Sequence, residues 1–187
     1  MKLLKVSKYY ISCLFISAMI ISCKHAEQPK NNSLASNLFT YGYCVFYGSH
    51  YDYLDIKENV VAMSLFSPSL AVDSAGYYVG TGTNLLISDI FLAPSDTLLP
   101  NGSYSATDSA SAFTFLRGQS FDGNPIGAYM LVVTESGYTV EVLTDGTFEL
   151  QNFGDSVRID FDFTRSNGKS YTPSFKGLLP MYDARMQ

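Results

Sequence analysis

A chain of 187 residues, 47% hydrophobic and 16% charged, is long enough to bury one core and suits a single domain. Its formal charge of −5, from 12 basic and 17 acidic side chains, leaves no basic stripe and excludes nucleic acid as an expected partner. His25 and His50 are its two histidines, which excludes histidine-rich metal sites, and 14 tyrosines and 13 phenylalanines without a tryptophan favour strands.

Met1 to Ser22 reads as a secretory signal peptide. Lys2, Lys5 and Lys8 precede an apolar stretch, Ile11 to Ile21, too short to span a bilayer comfortably. The stretch ends Ile20-Ile21-Ser22-Cys23, which resembles the lipobox of bacterial lipoproteins, with Ile21 where a small residue is usual. That resemblance implies a diacylglycerol thioether on Cys23, cleavage before it and acylation of the new amine. Several acyl chains on one residue anchor a protein stably to a membrane. The alternative is an ordinary signal or an uncleaved anchor. Cleavage would remove Lys2, Lys5 and Lys8 and no acid, leaving a more acidic protein that anionic headgroups would not attract. Residues 23–38, polar and aperiodic with Pro29 and several asparagines, read as a tether. Cys13 leaves with the signal and Cys23 takes the lipid. Cys44 is then without an intramolecular partner. It sits in an aromatic run with no positive neighbour to activate it, so a buried free thiol is expected rather than a nucleophile.

Residues 39–187 are expected to form one antiparallel β domain. Tyr41 to Tyr53 is the first strand region, interrupted at Gly48, and 59–66 (NVVAMSLF) is the second, stopped by Ser67-Pro68. Residues 73–84 (DSAGYYVGTGTN) read as loop, Leu85 to Leu92 as strand, and Leu98 to Tyr104 as a turn into a short strand. Ala112 to Arg117 and Ile126 to Thr134 flank the turn Phe121-Asp122-Gly123-Asn124-Pro125. The clearest pattern comes last. Phe148 and Leu150 alternate with Thr147, Glu149 and Gln151. Val157, Ile159, Phe161 and Phe163 alternate with Arg158, Asp160, Asp162 and Thr164. Glu135-Ser136-Gly137, Thr144-Asp145-Gly146, Asn152 to Asp155 and Ser166-Asn167-Gly168 read as turns. The expectation is an all-β fold, an antiparallel up-and-down meander of about nine or ten strands. It would close as a calycin-like barrel or fold as a two-sheet sandwich, with no helix after the signal. An outer-membrane barrel is not expected, because no lipid-facing band with aromatic girdles is evident.

Chemistry is sparse. Gly80-Thr81-Gly82 has neither the third glycine nor the following helix of a dinucleotide fingerprint. His50 lies near Asp52 and Asp55, but no Gly-x-Ser-x-Gly elbow accompanies it. Asp160 and Asp162 share a strand face about 7 Å apart, a spacing that suits glycoside cleavage or a cation. They lie opposite the apolar row, where a solvated face is the plainer reading. No catalytic residue, metal site or cofactor is therefore predicted. Tyrosine combines a flat apolar face with a hydroxyl and suits sugar stacking. Tyr77 and Tyr78 in the glycine loop, with Tyr47 and Tyr51, are the candidate ligand-binding residues. Tyr41, Tyr43, Val45 and Tyr47 share one face, expected mainly as core and rim.

The pieces Leu99-Pro100-Asn101-Gly102-Ser103-Tyr104, Thr144-Asp145-Gly146-Thr147-Phe148, Asn167-Gly168-Lys169 and Phe175-Lys176-Gly177 are similar to signatures repeated in small all-β lipoproteins of gut Bacteroidota. The resemblance spans roughly residues 85–179 and rests mostly on turn chemistry. It implies a lipoprotein of the cell envelope, on the outer membrane and facing the periplasm or the cell surface, and carries no catalytic residue. The function expected is a non-enzymatic binding or structural module, held to the membrane at Cys23 and presenting loops to a glycan or another envelope protein. The alternatives are a calycin-like carrier of a small apolar ligand and a glycan hydrolase using paired acids.

Overall fold

The computed structural model describes residues 38–185. The signal peptide, Cys23 and the tether through residue 37 lie outside the described residues. Strands β1 (Leu38–Phe39) and β2 (Tyr41–Gly48) lead through a short 3₁₀ turn at Asp52–Leu54 to β3 (Asn59–Phe66). The hairpin β4 (Leu70–Val72) and β5 (Tyr78–Gly80) precedes the long β6 (Gly82–Leu92). Then come β7 (Gly102–Thr107), β8 (Thr114–Leu116), and a second hairpin of β9 (Gln119–Phe121) and β10 (Asn124–Ile126). The chain continues through β11 (Ala128–Thr134), β12 (Gly137–Phe153) and β13 (Ser156–Arg165). It ends in β14 (Ser170–Tyr171), β15 (Ser174–Gly177) and β16 (Met181–Asp183).

The fold is all-β as expected, but it is not a simple meander. Five strands close into a small mixed barrel in the order β6, β11, β12, β7, β8 and back to β6. Strands β7 and β8 run parallel, as do β1 with β15 and β16 with β2. Closure depends on strand length. One edge of β12 pairs first with β11 along Gly137–Val142 and then with β7 along Thr147–Leu150. The same edge of β6 pairs with β11 and then with β8. The connection between β6 and β7 thus carries the chain across to β12 instead of folding it back on its predecessor. The opposite edges carry two arms. β3, β2 and β16 extend from β6, and β13, β15 and β1 extend from β12. Thr40 alone separates β1 from β2, so it joins the outer parts of the arms.

Side-chain period explains which faces meet. In β13, Ile159, Phe161 and Phe163 are buried while Arg158, Asp160 and Asp162 are exposed, as the alternation predicts. Rings fill the interior: Tyr104 stacks on Phe148 at 4.5 Å, and Phe115 lies 5.5 Å from Phe148 and 5.8 Å from Phe163. Two of the lipoprotein-like pieces meet there, since Tyr104 is the cross-strand partner of Phe148. The Tyr104 hydroxyl donates to the Pro100 carbonyl at 2.9 Å, which satisfies its one polar atom.

Two local expectations are corrected. Thr144-Asp145-Gly146 is no turn: β12 runs through it with a bulge between Leu143 and Asp145. Gly146 sits at φ 136°, and a Cβ there would run into the Asp162 carbonyl oxygen, so this glycine serves close strand approach. The tyrosine row of β2 is not core either. Gly42, Cys44, Phe46 and Gly48 face inward, and Tyr41, Tyr43, Val45 and Tyr47 face out. A Cβ on Gly42 would lie 2.6 Å from the Ser64 carbonyl oxygen, so at this point the inward face has no room for a side chain.

Candidate functional site

The four candidate tyrosines fall into two places. Tyr41 and Tyr47 mark the two ends of the outward row of β2, about 20 Å apart at strand rise. Tyr78 belongs with the first end and Tyr51 with the second.

At the first end, Tyr41 stacks on Phe66 with ring centroids 4.7 Å apart. The loop predicted at 73–84 is instead a hairpin, β4–β5, that runs on into β6. At its tip the Asp73 carboxylate accepts from the Ala75 and Tyr77 amides, both at 2.9 Å, an Asx-type turn that leaves the Tyr77 side chain 59% exposed. Tyr78 points the other way. Its hydroxyl donates to Asn84 Oδ1 at 2.9 Å, and Asn84 Nδ2 donates to Ser64 Oγ at 2.8 Å and to the Leu65 carbonyl at 3.0 Å. Burial, and then the neighbouring Tyr129, Tyr43 and Tyr41, push the Tyr78 phenol well above its ordinary range. Tyr78 therefore locks the hairpin to the sheet, and Tyr77 is the member left to meet a ligand.

The base of this hairpin forms one wall of an open cleft of about 670 Å³. Three turns build it: Ser67 to Ser69 before β4, Thr81 to Thr83 entering β6, and Thr134 to Ser136 between β11 and β12, with Val132 and Val133 also lining it. Ser67 Oγ accepts from the Thr83 amide at 2.9 Å, and Thr134 Oγ1 donates to the Gly137 carbonyl at 3.0 Å. Those bonds pin the turns. Among the described residues the Ser69 and Thr81 hydroxyls make no hydrogen bond. They and the Glu135 carboxylate are the groups left for a ligand. Sequence reading passed over this cleft because its hydroxyls lie on segments 12 and more positions apart, read there as a stop, a loop and a turn. Gly80-Thr81-Gly82 marks one lip of it.

At the second end, Tyr47, His50 and Tyr51 form a chain of rings, with centroids 5.6 Å apart and then 4.8 Å apart. The Tyr51 hydroxyl donates to Asp89 Oδ1 at 2.6 Å, and Ser88 Oγ donates to Asp89 Oδ2. The Gly127 amide donates to Ser88 Oγ at 3.2 Å. A bulge in β6 makes this possible. Val61 pairs with Ile90 and Met63 with Ile87, so the two residues Ile87 and Ile90 both reach the core while Asp89 turns away from it. Asp89 is only 8% exposed. A pocket of about 180 Å³ opens over it, lined by Tyr51, Leu54, Ile56, Phe91, Asp108 and Leu116 among others. Asp89 was not singled out in the sequence, because nothing in Ile87-Ser88-Asp89-Ile90 announces a change of face.

The remaining candidates are placed apart from both. Asp160 pairs with Arg158 at 2.8 Å on the exposed row of β13, opposite Glu149 on β12. Cys44 is a fully buried free thiol, as expected, and burial raises its pKa far above the range of a reactive cysteine. Lys57 pairs with Asp52 at 2.7 Å and with Asp55 at 3.1 Å, which occupies the acids nearest His50 in sequence. Among the described residues no three His, Cys, Asp or Glu side chains gather as metal ligands. No known protein family, curated protein or solved structure matches this chain, so these sites stand on their own geometry.

Proposed function

We propose that this protein is a lipid-anchored module of the cell envelope, held at Cys23, whose β domain binds a polyhydroxylated ligand, a glycan segment, without catalysing a reaction. The observation that carries the reading is the cleft at the base of β4–β5. Its volume of about 670 Å³ lies within the ordinary range of ligand sites, about 300–1,000 Å³. Hydroxyls of Ser69 and Thr81 both donate and accept, and the Glu135 carboxylate accepts from paired sugar hydroxyls. Tyr77 offers a stacking face to a longer chain running along the hairpin. A ligand inside the barrel is not part of this reading, because the stacked rings of Tyr104, Phe148, Phe115 and Phe163 occupy that space. Cleavage by Asp160 and Asp162 is not part of it either, since both are exposed and Asp160 is spent on Arg158.

A glycan array probed with the full chain tests the site. One polysaccharide class should be retained, and Glu135→Gln or Thr81→Val should weaken it at least roughly tenfold, the loss of one or two hydrogen bonds to the ligand. A parent protein that retains nothing, or variants that bind undiminished, would remove the proposal. Mass spectrometry of protein from membranes should find Cys23 as the lipidated first residue, and Cys23→Ala should abolish the modification.

A further inference from the structure

The pocket over Asp89 is separate from the cleft and has a different chemistry. Asp89 lines it, more than nine-tenths buried, and accepts one bond on each oxygen, from Tyr51 and from Ser88. A carboxylate has about four acceptor sites, so roughly half its capacity is left. Among the described residues, the six ion pairs involve other acids, and no Lys or Arg pairs with Asp89. A cation placed beside such a buried carboxylate would offset its desolvation beyond what the two hydrogen bonds do. The walls say what would fit. Tyr51 and Phe91, with centroids 6.4 Å apart, present rings that attract a cation, and Leu54 and Leu116 are suited to methylenes. Asp108 stands as a second acid lining the pocket, where Arg117 lies 2.8 Å from it. At about 180 Å³ the chamber is smaller than the sites that enclose whole cofactors, and it suits the end of one chain.

We propose that this pocket takes a primary alkylammonium group, with its nitrogen on Asp89 and its carbon chain along Leu54, Phe91 and Leu116. An ammonium is preferred to a guanidinium on geometry. Each Asp89 oxygen already accepts a bond, so the paired acceptors that a planar guanidinium fork wants are partly taken, while a compact ammonium needs one open direction. Such a group reaches the pocket as a lysine side chain of a polypeptide or as a free diamine.

Calorimetric titration of the detergent-solubilised full chain with n-pentylammonium, and in parallel with the neutral n-pentanol, tests the assignment. Saturable binding of the ammonium that is at least roughly tenfold tighter than the alcohol is expected, and Asp89→Asn should erase that preference. Equal binding of the two compounds, no binding of the ammonium, or an undiminished preference in a folded Asp89→Asn variant would overturn it. The comparison of the two compounds on the parent decides the matter even where the variant does not fold. Nα-acetyl-lysine methylamide against 1,5-diaminopentane then assigns the source by whichever binds more tightly. The glycan cleft shares no residue with this pocket, so failure of one leaves the other standing.

Discussion

The two faces of β6 are built on opposite rules. Inward, Leu85, Ile87, Ile90 and Leu92 belong to the hydrophobic core, and the strand is held by shape. Outward, Asn84 ties down Tyr78, and Asp89 ties down Tyr51, so the same strand is held by single polar atoms. Packing tolerates a loss by partial collapse, whereas a buried polar group either keeps its partner or is strongly penalised. The pocket over Asp89 lies on the outer side, whereas Thr83 of the cleft shares the face of Leu85 and Ile87 at the start of the strand. The inner side supplies rigidity.

The largest effect that would sharpen this contrast is alkaline unfolding. Tyr41, Tyr78, Tyr104, Tyr129 and Tyr171 all have phenols raised above the ordinary value of 10.0, with burial the first cause in each. The folded pKa lies above the unfolded one, so the native state keeps protons that the unfolded chain releases. This stability is fully present below the unfolded value and is lost as pH rises through the folded one. The phenols of Tyr78, Tyr104, Tyr129 and Tyr171 should therefore ionise in a late, cooperative step that coincides with loss of circular dichroism. A single smooth rise with the fold intact would mean that the buried hydroxyls are not shielded.

Next in size, Phe148→Ala should destabilise by about 3–5 kcal/mol in urea unfolding, the usual range for deleting a buried ring. Phe148 touches Tyr104, Phe115 and Phe161 at once, with centroids between 4.5 and 5.6 Å, so no single neighbour can refill the hole. A loss below about 1 kcal/mol would mean that the inside of the barrel is loosely filled.

The smallest effect separates neighbours. Tyr78→Phe leaves Asn84 one partner short and should lose about 1 kcal/mol, while Tyr77→Phe should lie within about 0.5 kcal/mol of the parent. Equal effects at the two positions would break the division between a locking tyrosine and a presenting one.

Particular strands show what was legible. The period of two in Val157 to Thr164 identifies β13 because one of its faces is buried and alternation reports it, while β3 is buried on both faces and is marked by its β-branched pair and the Ser67-Pro68 stop. The free thiol of Cys44 followed from cysteine arithmetic and an aromatic setting. The direction of the β2 tyrosines did not. Alternation marks two faces, yet large rings on one and glycines on the other gave the wrong guess about which is inside, and close approach of β3 at Gly42 decided it. At Gly146 a sequence that suits a turn sits within a strand, since the same lack of a Cβ serves both tight reversal and tight pairing. Tyr51 was legible as a candidate, but its partner Asp89 was not, because a bulge that shifts register by one residue leaves no mark on composition.

By itself, the chain's pattern of apolar alternation, turn residues and aromatic content determined that it is all-β, since these are properties of a few adjacent residues. Closure of five strands into a mixed barrel, the parallel pairing of β7 with β8, the cleft at the base of β4–β5 and the pocket over Asp89 were decided by tertiary structure. Each joins segments far apart in the chain, and the free energy that selects them lies in contacts between strands, which no local window of sequence contains.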